Sequence, residues 1–172
     1  MRFHWLFQFC AWIDQTPLSQ WIQAAGWIVP LVQTVHILAV AMVLASATMI
    51  ALRLAGLIAL DETPSRVVAR FVPFIWWPLI ALAGSGLVLI VGEPGRELLN
   101  PIFQAKMVLL LLAITATRWL TVSLNDETAS ATRPGSPAGA GLAVAPSLRA
   151  VATATLLIWI TIIFAGRWIA YF

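Results

Sequence analysis

Of the ionisable residues in stretches of sequence that are otherwise apolar, four could carry chemistry: His36, Lys106, Arg167 and Arg53. A charged or titratable group is costly in hydrocarbon, so each of them needs a partner or a purpose. For the imidazole of His36 the functional reading is an axial ligand for haem iron, or a proton-carrying group beside a quinone. The plainer one is a histidine satisfied by a single hydrogen bond to a neighbouring helix. For Lys106 and Arg167 the sharp reading is a pair of cations suited to carboxylates, such as porphyrin propionates or an anionic substrate. The plainer one is snorkelling of both side chains to the interface, within reach of Trp168 and Tyr171 in the case of Arg167. Arg53 either pairs with Asp61 or Glu62 or reaches anionic headgroups.

The setting of these groups follows from composition. The chain of 172 residues is 61% hydrophobic and only 10% charged, against roughly half and a quarter in soluble domains. A soluble domain of this size could not hide so much apolar surface from water. An all-α integral membrane bundle is therefore expected, in contact with the lipid bilayer. The ten Lys and Arg residues behind the net charge of +3 are scattered, so no basic patch exists for nucleic acid. Cys10 is the one cysteine, which excludes an intrachain disulfide and a zinc site built on several cysteines. Phosphate-binding loops, dinucleotide fingerprints, zinc-protease helices and paired carboxylates in a crossing are all absent. The scarcity of acids in the apolar stretches also disfavours a cation-coupled carrier.

Four crossings of about 20 residues each fit the length. Residues 1–27 read as a retained interfacial segment, with Trp5, Phe7, Phe9 and Trp12 at the membrane surface. Within it Thr16-Pro17 is a helix start, with Thr as N-cap and Pro at the first helical position. Pro30 is expected to break or bend the chain before the first crossing, 28–53, which the apolar residues 54–60 could prolong. His36 there shares a face with Gln33, Val40, Val43 and Ala47. A basic connector at 64–70 precedes the second crossing, 71–91, whose Gly84-Ser85-Gly86 lets another helix approach closely. Gly92-Glu93-Pro94-Gly95 reads as a turn, with Glu93 and Glu97 placed to neutralise Lys106 or Arg167. Asn100-Pro101 caps the third crossing, 101–124. Residues 125–148 read as a flexible loop, and the fourth crossing covers 149–172. The whole is one transmembrane domain.

Loop charges set the orientation. Arg53, Arg66, Arg70, Arg118, Arg133 and Arg149 fall on one side; Arg2, Arg96, Lys106 and Arg167 fall on the other. The excess places both termini in the periplasm of a bacterium with the chain in its inner membrane. His36, Lys106 and Arg167 then share the outer leaflet.

Val35-His36-Ile37-Leu38-Ala39-Val40 with Arg53 downstream, Asn100-Pro101 with Lys106, and Ala165-Gly166-Arg167 near Tyr171 together resemble a family of four-helix bacterial inner-membrane proteins with no assigned function. More distantly, the His-then-Arg helix and the helix-opening Lys are similar to the small membrane protoporphyrinogen oxidases and the CopD-type copper-resistance membrane proteins. The oxidase resemblance implies haem b, with His36 as iron ligand and Lys106 near a propionate or substrate. A bis-histidine haem needs two imidazoles, and His4 lies outside the crossings. Haem would therefore require His36 alone, a non-histidine second ligand, or His36 from each of two chains. A pocket for a haem-like or other anionic cofactor or substrate is one expectation. A non-catalytic membrane subunit, packing through Gly84 and Gly86 in a homo-oligomer or against a partner protein, is the other.

Overall fold

A computed structural model describes residues 4–131 and 144–168. Among them are eight helices and no strand: α1 (His4–Asp14), α2 (Pro17–Ala24), α3 (Ile28–Leu54), α4 (Pro64–Phe71), α5 (Pro73–Gly92), α6 (Pro94–Leu98), α7 (Pro101–Ala131) and α8 (Pro146–Trp168). Four stretches are long and apolar enough to cross a membrane: Ile28–Leu54, Pro64–Gly92, Pro101–Glu127 and Pro146–Trp168. The protein is an integral membrane helical bundle.

Local chemistry explains most of the boundaries. Thr16 accepts a hydrogen bond from the backbone N–H of Ser19, with Pro17 at the first helical position. The Asn100 carboxamide oxygen likewise accepts from Ile102 N at 2.9 Å. Pro30 does not interrupt the chain; it sits in the first turn of α3, where backbone N–H groups have no helical partner to lose. At the far end, the apolar run 54–60 does not prolong α3. Gly56 adopts φ +78°, and Leu57 N donates to Leu52 O while Gly56 N donates to Arg53 O. That pair of bonds is a Schellman stop, which needs a left-handed residue that glycine supplies without strain.

Two segments expected to be loops are helical. The connector at 64–70 forms α4, started by Pro64 and leading almost directly into α5. The region 125–148 is helical at both margins, because α7 continues to Ala131 and α8 begins at Pro146. No glycine or proline follows Pro101 until Pro134, so nothing stops α7 at the membrane surface. Residues 132–143 of that expected loop, and 169–172 of the expected fourth crossing, lie outside the described residues.

In the bundle α5 packs on α3, α3 on α8 and α8 on α7. The core is built from Val43, Ala47, Ile50 and Leu54 of α3, Ile75 of α5, Ala113, Leu120 and Leu124 of α7, and Ala152, Trp159 and Ile162 of α8. Outward-facing residues such as Ile37, Leu87 and Leu111 are exposed and apolar, as contact with lipid requires. The segment before α3 is not merely laid flat. α1 and α2 dock on the end where α5 and α6 meet, and this capped end also holds the start of α3. Ser19 Oγ donates to Val91 O at 2.7 Å and Gln23 Nε2 to Gly92 O at 3.0 Å. Both acceptors are carbonyls of the last turn of α5, which no helical N–H can reach. Trp5, Phe9 and Trp12 stay exposed along one side of α1, with the rings of Phe9 and Trp12 stacked at 6.0 Å.

Pro78 lies inside α5. Lacking an N–H, it leaves the carbonyl four residues back, that of Phe74, without its helical donor. Ser46 of α3 shares its hydroxyl hydrogen between Met42 O at 2.8 Å and this Phe74 oxygen at 3.3 Å. In hydrocarbon such freed groups must be met by protein. Ser46→Ala is therefore expected to destabilise the detergent-solubilised protein by about 1–3 kcal/mol. The loss should shrink sharply when Pro78→Ala restores the helical donor. A thermal-unfolding double-mutant cycle with no coupling between the two sites would refute this role.

Candidate ligand site below the capped end

The alternation of crossings brings the start of α3, the end of α5, the start of α7 and the end of α8 together. His36 lies eight residues into α3 from Ile28, about 12 Å along the axis. Ser85 lies seven residues before Gly92 at the end of α5, about 10 Å. Lys106 lies five residues into α7 from Pro101, about 8 Å. These groups occupy one layer below the capped end.

Within it, His36 Nδ1 and Ser85 Oγ are 2.8 Å apart. The hydroxyl of Ser85, which is itself buried, lies 2.6 Å from Ala81 O and 3.3 Å from Leu82 O. It has one hydrogen, and those carbonyls claim it. Ser85 therefore accepts from His36, which places the ring proton on Nδ1. The tautomer follows from the network, and it leaves Nε2 as an unprotonated acceptor. A Cβ added to Gly86 would stand 3.9 Å from His36 Cε1, so the absent side chain leaves the ring edge uncrowded. Lys106 is half-buried, with Nζ 5.7 Å from the centroid of the buried Phe103 ring. A Cβ on Gly166 of α8 would stand 3.9 Å from that Nζ. Lys106 is within electrostatic range of His36 and of Glu97. Among the described residues, no carboxylate closes on it as an ion pair.

The structure thus places His36 and Lys106 in one layer, within electrostatic range of each other. Arg167 follows Gly166 on α8 at the same end, with its side chain exposed and in contact with other groups. Tyr171, expected in its aromatic belt, lies outside the described residues. Arg53 is separated from the other three. It is the last residue but one of α3, seventeen residues beyond His36 and about 25 Å away. Among the described residues no acid side chain pairs with it, and burial keeps it from reaching headgroups. It is only 3% exposed, and its Nη2 donates to the Glu62 backbone carbonyl. The Glu62 carboxylate bonds Arg70 instead, at 2.6 Å. Of the two acids expected to neutralise Lys106 or Arg167, Glu93 pairs with Arg96 at 2.5 Å, and Glu97 lies within electrostatic range of Lys106. Arg53 Nε and Trp159 Nε1 are buried without a hydrogen-bond partner among the described residues.

A cleft of about 630 Å³ lies elsewhere, above the membrane-spanning part, between α1 and the α5–α6 corner. Phe7, Asp14, Gln23, Glu93 and Arg96 are among its lining residues, and His36, Lys106 and Arg167 are not. Its polar groups are largely engaged with one another: Gln23 with Asp14 at 2.8 Å and Arg96 with Glu93. The thiol of Cys10, also on its wall, is buried against Pro94 O at 3.6 Å. Burial pushes its pKa up, which makes it a poor nucleophile. The layer around His36 and Lys106, where among the described residues no carboxylate is in ion-pair contact with the ammonium, is thus the better candidate.

Residues 9–172 match one family along nearly their whole length. The chain belongs to DUF6644, a family of unknown function. Membership in DUF6644 agrees with the resemblance to an uncharacterised membrane family. No curated protein and no solved structure matches the chain. Nothing in the comparisons extends the likeness to the protoporphyrinogen oxidases or to the CopD-type proteins.

Ser85, the residue that orients His36, read in sequence only as part of a small-residue stripe. A hydroxyl between two glycines on an apolar helix was the available signal. Ser85→Ala would leave the Nδ1 proton of His36 without its acceptor, a loss of about 1–3 kcal/mol in thermal unfolding. Ser85→Thr, which keeps the hydroxyl, should recover part of it; equal losses in both variants would show that packing, not the hydrogen bond, matters there.

Proposed function

We propose that this chain is a bacterial inner-membrane protein with both termini in the periplasm. On this reading His36, Lys106 and Arg167 line an outer-leaflet site for a haem-like or other anionic cofactor or substrate. One observation carries the proposal: an imidazole held by Ser85 with Nε2 free as an acceptor, beside an ammonium that has no carboxylate in ion-pair contact among the described residues. A purely structural histidine needs the first bond but not the neighbouring cation.

Haem b is the specific version of this reading. The residues fit one axial ligand, because ligating histidines characteristically donate their other ring N–H to a neighbour. They also fit one cation for a propionate. They do not supply a second imidazole, since His4 is the exposed first residue of α1. The second axial position would be filled by a non-histidine group or by His36 of another copy. Bound there, haem would supply one-electron chemistry, for which Ser85 fixes the ring and Lys106 balances charge.

An absorption spectrum of the detergent-purified protein tests the haem version. A Soret band that disappears in His36→Ala supports it, and a colourless, folded protein ends it. For the site itself, stabilisation by added haem or an iron-free porphyrin dicarboxylate should weaken about tenfold in apparent affinity in Lys106→Ala or Arg167→Ala. No change in either variant would assign both side chains to snorkelling.

A second reading is a non-catalytic subunit or scaffold, and Gly84 favours it. Gly84 is exposed with open space beside it, so another helix, from a second copy or a partner protein, could approach there. Gly86 is not available for that role, because it adjoins His36. A membrane protein that co-purifies with the wild type but not with Gly84→Leu would favour this reading.

A further inference from the structure

Three sides of the four-helix bundle are closed by close backbone packing, α5 on α3, α3 on α8 and α8 on α7. The fourth side, between α5 and α7, is not. These two helices approach each other marginally at most, and they are linked through α4 towards one end and α6 at the other. The candidate site borders this side. His36 is tied to α5 through Ser85, Lys106 comes from α7, and the positions beside them that would narrow the space are Gly86 and Gly166. Leu87 of α5 and Val108 and Leu111 of α7 are exposed to the surrounding medium, which at this depth is lipid. From above, access is covered by α1, α2 and α6, fastened by Ser19, Gln23 and Cys10 to the α5–α6 corner.

We propose that the α5–α7 side is a lateral opening, and that the ligand entering it is a membrane lipid with a phosphate-monoester head. This rests on the reading of His36 and Lys106 as an anion site and names the class of anion. The two groups make different demands. Lys106 needs a negatively charged acceptor, whereas the free Nε2 of His36 needs a hydrogen-bond donor. A carboxylate or a phosphodiester offers only acceptors and would set a lone pair against Nε2. A phosphate monoester has a second pKa of about 6, so its monoanion carries both charged oxygens and an O–H. The O–H donates to Nε2 while the charged oxygens accept from Lys106.

Depth agrees with a lipid head. α3 has 27 residues, about 40 Å, against a hydrocarbon thickness of about 30 Å. Some 5 Å of helix therefore lies in each interface. By that measure Lys106 lies about 3 Å and His36 about 7 Å inside the hydrocarbon boundary, so a lipid head that reaches both is drawn slightly below the phosphate layer, and its acyl chains can run down past Leu87 and Leu111.

The test compares melting temperatures of the purified full chain at pH 6 in neutral phosphatidylcholine mixed micelles, and after adding phosphatidic acid, phosphatidylglycerol or inorganic phosphate. Phosphatidic acid, the monoester, is expected to raise the melting temperature by roughly 5 °C at saturation. Phosphatidylglycerol, an anionic diester, should give less than half of that, and inorganic phosphate nothing at millimolar concentration. Lys106→Ala and His36→Phe should each remove most of the phosphatidic-acid shift, read as the difference with and without that lipid in the same variant. The lipid series on the wild type stands without any variant. Equal shifts with the monoester and the diester would overturn the proposal by removing the requirement for a donor. An equal shift with inorganic phosphate that needs Lys106 would also overturn it, while leaving the anion site in place. Silence from every anion, porphyrins included, would remove the anion site as well.

Discussion

Every polar backbone group of this bundle must find its partner in protein, because hydrocarbon offers none. Regular helices meet that condition along most of the four crossings. The informative places are where they fail. Pro78 frees a carbonyl in α5, and Ser46 comes from α3 to share it. The last carbonyls of α5 have no helical donors, and Ser19 and Gln23 come from α2 to supply them. The first repair ties α3 to α5, and the second fastens the amphipathic N-terminal segment to the bundle. The position of α2, and with it the cover over one end of the crossings, thus follows from a hydrogen-bond deficit at the end of α5.

The same condition governs the buried side chains. Ser85 lies 2.6 Å from the carbonyl of Ala81, a common fate for hydroxyls in apolar helices, and in doing so becomes an acceptor for His36. Arg53 is buried at the opposite end with a backbone carbonyl as its partner, just before a chain reversal set by Gly56. It anchors a turn, and its charge plays no part in the layer around His36. The cation that does so is Lys106, held against a ring on its own helix and a glycine on the next.

The four crossings were legible from hydropathy, and the starts at Thr16 and Asn100 from capping chemistry. The end of α3 was legible too, had Gly56 been weighed above the apolar residues that follow it. Beyond that, apolarity alone could not separate helix from loop. Segments 64–70 and 125–131 are polar enough to read as connectors, yet they contain no breaker after their first residue and stay helical. In the site, His36 and Lys106 stood out because they are rare in their surroundings. Ser85 did not, since a serine beside glycines reads equally as packing. Pairing between helices is long-range information that single-helix patterns do not carry, and the placing of Ser46 opposite Phe74 is hidden for the same reason. Arg53 shows the converse error. Its rarity resembled that of His36, but its position on α3 put it a membrane's breadth away.

The plain and the functional readings of His36 are not rivals. The hydrogen bond that satisfies the ring in an apolar bundle runs from Nδ1 to Ser85, and it is this bond that leaves the opposite nitrogen as an acceptor. A histidine satisfied on both nitrogens would be inert, and one satisfied on neither would favour exposure. Half-satisfaction is stable only if something else meets Nε2, whether lipid-borne, ligand or water. The neighbouring ammonium narrows what that can be, because any group reaching Nε2 must also lie within the field of Lys106. An occupant that is anionic overall and still carries one hydrogen to donate answers both, and few chemical classes dissolved in a bilayer do.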